Sequence, residues 1–340
     1  MNRRLAMKKL CALALNGVAM SAEAARWRFH RVPLDTAGWS GLRLAPGDMP
    51  QLLVAVDGDD RRRRLWPLTL KGIDDPAPQL APQPVLQLPG LLHWDARRPT
   101  ADWEVLSIHP GSGLAPLQLY APGGREPETI DTVDERGIFA RPRFAAPSDD
   151  IVAIDLTRKY ALTLYRRQPQ GAAGYAPRQV LPAPRPNEVL QAVHLLPWNA
   201  GWLLFAQRFA PGPYRRRGLG GDSEPQRSGL LDVQLLDAQG RPQGPAGQPF
   251  GERPVFEVAV AAAGGRAAVL ATTAGGFALA SGAPDQRGSR WTIDADQPWP
   301  AELWSPCLQA TPQQLRIALL EGSGGPGKPA LLLAEQAWRP

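Results

Sequence analysis

Apolar residues along this chain come in short runs broken by Gly, Pro, Asp or Asn, and within the runs they alternate with polar positions at a period of two. A period of two marks a half-buried strand. The 3.6-residue spacing of an amphipathic helix is rare here. The runs pair around turn signals. Gly41–Leu44 and Gln51–Asp57 flank Ala45-Pro46-Gly47-Asp48, and Leu65–Leu70 follows an Arg-rich turn. Trp103–His109 and Leu114–Tyr120 flank Pro-Gly-Ser-Gly. Arg141–Ala145 and Ile151–Asp155 flank Pro-Ser-Asp-Asp, with Tyr160–Tyr165 after them. Val189–Leu195 and Trp202–Phe209 flank Pro-Trp-Asn-Ala-Gly. Val255–Val260 and Ala267–Thr272 flank Ala-Gly-Gly, with Gly276–Ser281 next. Cys307–Ala310 and Leu315–Glu321 flank Thr-Pro-Gln, with Ala330–Gln336 last.

This is one unit, strand–turn–strand–turn–strand, repeated about six times, with turn centres near residues 48, 111, 149, 199, 265 and 311. A repeat of roughly 40–50 residues is that of a β-propeller blade. The stretch 212–229, GPYRRRGLGGDSEPQRSG, lengthens one interval and is expected to be a mobile inserted loop. On these repeats the chain resembles the β-propeller superfamily of exported bacterial proteins over residues 25–340. The resemblance is at the level of fold. No Trp-Asp or Gly-His pair recurs at fixed positions, and Gly264-Gly265 and Gly275-Gly276 do not recur in the other units. The expectation is an all-β single domain, a propeller of six blades. The segment Ala25–Val32 would pair as the outer strand of the last blade and close the ring without a free edge. The competing architecture is two β-sandwiches in tandem, joined by a linker within 170–186.

Composition changes the picture mainly at the N-terminus. Apolar residues make up 44% of 340, charged residues 21%, and there are 34 Gly and 37 Pro. That supports a packed core and argues against long helices. The first residues read MNRRLAMKKLCALALNGVAMSAEA. Arg3, Arg4, Lys8 and Lys9 precede a short apolar stretch, Leu10–Met20, and Ala22-Glu23-Ala24 is an A-x-A cleavage signal. Residues 1–24 are therefore expected to be a signal peptide, cut between Ala24 and Ala25, with a periplasmic or secreted product. The apolar stretch falls short of the about 20 residues that span a bilayer. Asn2-Arg3-Arg4-Leu5-Ala6-Met7-Lys8 also resembles a twin-arginine signal without its usual bulky residue at Ala6. Cleavage removes four of the 38 basic and one of the 32 acidic residues, lowering the net charge from +6 to +3. So mild an imbalance does not imply nucleic acid as a partner. Cys307 is then the one cysteine left, which excludes an intrachain disulfide and is read as a buried core thiol.

Candidate chemistry is sparse. His30, His93, His109 and His194 share no context and are expected to be packed or exposed rather than metal ligands. Gly322–Lys328 has phosphate-loop spacing, but Pro329 stands where a magnesium-binding hydroxyl is needed, so it reads as a hairpin loop. Ser281–Trp291 is near an Asp-box turn with its Asp285 and Gly288 one residue too far apart. No G-x-S-x-G, H-E-x-x-H or C-x-x-C is present. Asp57, Asp102, Glu104, Asp155 and Asp232 are acidic candidates, but linear spacing cannot show carboxylates from different blades converging. Two basic loops carry an adjacent aromatic: Arg61, Arg62, Arg63, Arg64 with Trp66, and Tyr214 with Arg215, Arg216, Arg217. Guanidinium forks suit carboxylate and phosphate, and the ring offers stacking. Most of the eleven tryptophans are expected between blades, with Trp39, Trp94, Trp198 and Trp299 as candidates for a sugar-binding rim. The function expected is a non-catalytic binding or scaffold protein acting through these loop faces. Its partner would be a protein, an anionic glycan or a lipid headgroup, and no cofactor or metal is expected. The alternative is a lectin or glycosidase with carboxylates and Trp at the central mouth.

Overall fold

The computed structural model describes residues 27–338, apart from 35–37, 46–50, 61, 73–77, 90–92, 109–113, 122–125, 135–140, 146, 156–160, 169–173, 177–178, 186–187, 217–224, 286–289 and 323–328. The expected signal peptide, Arg61, His109, Arg217 and the loop 323–328 lie outside the described residues.

Each apolar run becomes a strand, and the strands form six antiparallel sheets arranged as six blades. β1 (His30–Pro33) precedes the first blade. Blade 1 holds β2 (Trp39–Ala45), β3 (Gln51–Asp57), β4 (Arg62–Thr69), β5 (Gln79–Leu80) and β6 (Leu86–Pro89). Blade 2 holds β7 (Trp94–Arg97), β8 (Glu104–Ile108), β9 (Leu114–Tyr120) and β10 (Glu128–Asp134). Blade 3 holds β11 (Arg143–Phe144), β12 (Ile151–Asp155), β13 (Ala161–Tyr165) and β14 (Gln179–Leu181). Blade 4 holds β15 (Leu190–Trp198), β16 (Gly201–Arg216) and β17 (Pro225–Leu236). Blade 5 holds β18 (Val258–Ala263), β19 (Arg266–Thr273), β20 (Gly276–Gly282) and β21 (Trp291–Pro298). Blade 6 holds β22 (Leu303–Ala310), β23 (Gln314–Glu321) and β24 (Ala330–Ala337). β1 completes blade 6 by pairing with β24, His30 opposite Leu333 and Val32 opposite Leu331. The N-terminal strand thus closes the ring as expected, and tandem sandwiches are overturned.

The first strands of the blades, β2, β7, β11, β15, β18 and β22, touch one another in cyclic order and surround the axis. Six apolar clusters fill the six interfaces between neighbouring blades. The cluster between blades 6 and 1 joins Val32, Leu42, Leu52 and Trp39 to Trp304, Ala318 and Leu331. A strand feeds both faces into a core here, one toward each neighbouring blade. That is why buried runs such as Leu331–Leu333 lose the alternation seen elsewhere.

Three details differ from the sequence expectations. The pair Trp103–His109 and Leu114–Tyr120 is the middle of blade 2, not its beginning. The inner strand is β7, four residues with two charges, too short and too polar for an apolar-run criterion. The segment 212–229 is strand at both ends: Tyr214 pairs with Arg227 and Arg216 with Pro225, beyond a bulge after Phe209. Blade 4 has no fourth strand of its own among the described residues. Its edge is met instead by the bridges Gly229–Val255, Val233–Gly247 and Leu236–Pro242. Tight turns follow local chemistry. Gly264 and Gly265, at φ 59° and 74°, make the two-residue turn between paired Ala263 and Arg266, where both positions need φ above zero.

Candidate functional site

Every blade repeats the same meander, so the inner strands all start from one face of the ring. Along or just before these strands each blade contributes one polar group or more toward the axis. Blade 1 gives Arg43 from β2, blade 2 gives Asp95 from β7, and blade 3 gives Arg143 from β11 with Arg141 just before it. Blade 4 gives His194 from β15, blade 5 gives Glu257 immediately before β18, and blade 6 gives Ser305 and Cys307 from β22. These groups meet across the axis: His194 feels the charges of Arg143, Arg43 and Arg141, although blades 1 and 4 are opposite. Arg143 in turn feels Arg43, Asp95, Arg141 and Glu257.

The network is anchored by Asp95, which is buried. Its Oδ1 accepts from Arg43 Nε at 2.5 Å and its Oδ2 accepts from the Phe144 backbone N–H at 2.9 Å, so one carboxylate ties blades 1, 2 and 3 together. Arg43 donates further to the carbonyls of Leu42 at 2.7 Å and Trp94 at 2.8 Å, and stacks over the Trp94 ring at 4.5 Å. Gly41 makes that stacking possible, because a Cβ there would stand 3.0 Å from Trp94 Cζ2. Arg143 is used differently. Its Nη1 donates to Trp94 O at 3.0 Å and Pro142 O at 3.3 Å, and lies 3.8 Å from Asp95 Oδ1. Its Nε and Nη2 make no hydrogen bond to the described residues, while the side chain is 19% exposed. Burial, and then the like charge of Arg43, lower its pKa to about 10, so it stays cationic at neutral pH.

Blade 6 contributes through distorted backbone. The ladder between β22 and β23 shifts register between Trp304 and Cys307, and Ser305 sits at φ 50°, a left-handed conformation uncommon outside glycine. The distortion aims the Ser305 N–H at the Glu257 carboxylate and its hydroxyl at the Leu42 N–H, 2.7 Å away. Cys307 Sγ lies 3.2 Å from Leu42 O, and burial pushes the thiol up to about 12. It is an inert, protonated core thiol, as expected.

His194 is half-buried and makes no hydrogen bond with the described residues. Desolvation first, and then the Arg143, Arg43 and Arg141 guanidiniums, hold its pKa well below the ordinary histidine value. At neutral pH it is a neutral imidazole among cations. The formal charge of the axis is then three guanidiniums against two carboxylates, +1. Both carboxylates are engaged, Asp95 by Arg43 and Phe144, Glu257 by Ser305. The arrangement presents donors and positive charge near the centre of the ring, which suits an anionic group.

The sequence candidates fall elsewhere. The turn leading into Arg62, Arg63 and Arg64 joins β3 to β4, and the long β16–β17 hairpin bears Tyr214, Arg215 and Arg216. Both project from the face on which the inner strands start, from opposite blades. In the first loop the charge is largely spent. Arg63 is buried and grips Asp57 at 2.7 and 3.0 Å, Arg64 pairs with Asp60 at 2.6 Å, and Trp66 packs on the core between blades 6 and 1. Arg62 is exposed. No tryptophan forms an exposed rim: Trp39, Trp94 and Trp198 are buried, and Trp299 packs half-buried and donates to Glu321 at 2.8 Å. Asp102 is exposed, Glu104 pairs with Arg97, and the buried Asp232 holds Arg208 and Arg185 within blade 4. Among the described residues there is no cluster of histidine, cysteine and carboxylate able to hold a metal, and no helix long and apolar enough to cross a membrane.

Sequence reasoning missed the axial set because each member is a lone polar residue in a different strand. The signal was one polar position interrupting the first strand of each unit, as in LRL, WDAR, RPRF and VHL.

No family model and no curated protein matches the chain. Solved structures do. A subtype N11 neuraminidase-like protein of A/flat-faced bat/Peru/033/2010 (H18N11) is similar over 90% of this chain and 89% of that one, with a TM-score of 0.51 and 10% identity. SapL1 lectin, in complex with alpha methyl fucoside, is similar over 89% of this chain and 94% of that one, with a TM-score of 0.50 and 12% identity. The class defined by fold and likeness is thus a six-bladed β-propeller.

Proposed function

We propose that this chain is an exported, non-catalytic binding protein that holds an anionic group of its ligand at the ring axis. The observation that carries the reading is the meeting of Arg43 and Arg143, from blades 1 and 3, at Asp95 Oδ1 and the Trp94 carbonyl, with Arg143 Nε and Nη2 bound to no described residue. A guanidinium fork in a partly dehydrated site gives short, charge-assisted bonds to a carboxylate or phosphate, stronger than neutral ones. The blade 4 hairpin bearing Arg215 and Arg216 adds positive charge for long-range attraction of anions, whereas the blade 1 turn is largely neutralised by Asp57 and Asp60. The binding surface is therefore centred on the axis rather than on the loops alone. Export rests on the N-terminal sequence, which fits a periplasmic or secreted location.

The carbohydrate-active alternative narrows to recognition without hydrolysis. A glycosidase needs one carboxyl free to protonate and another free to attack or to activate water. Here Asp95 and Glu257 are each committed to a neighbouring blade. The likeness to a lectin in complex with a methyl fucoside makes sugars sensible first ligands to try, and the axial guanidiniums favour acidic ones. The test is calorimetric titration with glucuronate and galacturonate, beside glucose and galactose as neutral controls, on the wild type and Arg143→Gln. Binding confined to the acids and weakened at least tenfold in the variant is expected. Equal binding of acid and neutral sugars, or turnover of an aryl glycoside abolished by Glu257→Gln, would contradict it.

A further inference from the structure

We propose that His194 is the proton-accepting member of the axial site: an anion bound among the axial guanidiniums draws a proton from solvent onto the free ring nitrogen of His194. The inference deepens the binding function above and rests on it. The chemical class of ligand is an anion that keeps its own charge, such as a sulfate ester or a sugar carboxylate.

Geometry carries the argument. His194 is the blade 4 member of a ring to which each blade contributes, and it has no hydrogen-bond partner among the described residues, although it is half-buried. Its strand β15 packs against β11, which carries Arg143, and Arg143 shares Asp95 Oδ1 and the Trp94 carbonyl with Arg43. The charges of Arg143, Arg43 and Arg141 act on the imidazole. Asp95 of blade 2, Glu257 of blade 5 and the Cys307 thiol of blade 6 complete the axis. The neighbouring strands supply no titratable partner: β16 places Phe205 opposite His194, and β12 packs Val152 and Ile154 against the flanking Val193 and Leu195. With the axis empty its formal charge is +1, and an imidazolium would make it +2. A monoanion such as a sulfate ester or sugar carboxylate brings the same sum to zero and the sulfate dianion brings it to −1, so protonated His194 then makes it +1 or zero rather than +2. The guanidinium charges that oppose protonation are thereby compensated by the ligand itself. A newly charged N–H then donates to the anion, and binding the anion and binding the proton favour each other.

Two alternative acid-sensitive groups are already committed. Asp95 accepts from Arg43 and the Phe144 N–H, and Glu257 accepts from the Ser305 N–H. Cys307 stays protonated throughout. His194 is thus the axial group left to take up a proton when an anion binds, over an assay range of about pH 5.5 to 8.

The test uses sodium sulfate, which does not itself titrate in that range, with the mature protein in calorimetry. Enthalpies measured in buffers of different ionisation heat report protons taken up per sulfate, and a pH series reports affinity. Expected are uptake of up to one proton and affinity rising by up to about tenfold for each unit of falling pH. In His194→Gln the uptake disappears and the affinity, whatever its size, becomes flat with pH. Wild-type binding without proton uptake, or uptake that survives in His194→Gln, overturns the proposal while leaving the anion site standing. Sulfate that fails to bind at any pH removes the anion site and this proposal together.

Discussion

At the residue scale the axis is held by few groups with many bonds, so single substitutions there have large and distinguishable effects. Asp95→Ala strands the Arg43 guanidinium and leaves the Phe144 N–H without its acceptor. Removing one partner of a buried pair costs about 3–5 kcal/mol, which urea denaturation monitored by tryptophan fluorescence would read directly. Gly41→Ala acts from outside the charged set. Its methyl would meet the Trp94 ring at 3.0 Å and push it from beneath Arg43, an overpacking cost of about 1–3 kcal/mol on the same assay. His194 gives a third prediction. Its native pKa is depressed, so the unfolded chain takes a proton near pH 6.5 that the native protein refuses. Stability is therefore lost as pH falls below about 6.5, with a slope of at most about 1.4 kcal/mol per unit, until the native pKa is reached. In His194→Gln the acid limb of the stability curve flattens by that slope; an unchanged limb would show that the imidazole is not held neutral.

At the element scale the ring depends on β1. Four residues from the beginning of the folded part hydrogen-bond to β24, and Val32 fills the core between blades 6 and 1. Arg31 adds an ion pair with Glu321 at 2.6 Å. A chain beginning at Leu34 would leave β24 as a long, flat, unpaired edge, a template for association with other chains. A lower melting temperature and dimers or larger species on size-exclusion chromatography are expected; a stable monomer would show that the closure is dispensable. Such closure was legible in the sequence, because an unpartnered alternating segment stood before the first unit and the last unit was one strand short. Most middle strands were legible as short apolar runs between turn signals, because both of their faces pack into a core. Elements with little apolar content were not. β7 is half charged, β11 has two residues, and β14 has three. Their pairing is dictated by the neighbouring strand, not by their own composition.

At the scale of the whole molecule, the six blades bring together residues from 43 to 307 that no linear motif relates. The fold could be read from period and turn chemistry, which are local. The site could not, because its members converge only when the ring closes, and they come from different blades with no shared local pattern. The two Arg-rich loops drew notice because their charge is contiguous, yet in the first of them Asp57 and Asp60 neutralise Arg63 and Arg64. Isolated charges at the axis face a drier medium than clustered charges in turns, and the same charge does more there. The most direct test of the central claim is to soak crystals of the protein in selenate and locate the selenium by anomalous diffraction. The account predicts a peak on the ring axis within hydrogen-bond reach of Arg143. Selenate found only at outer turns, with the axis bare, would contradict it.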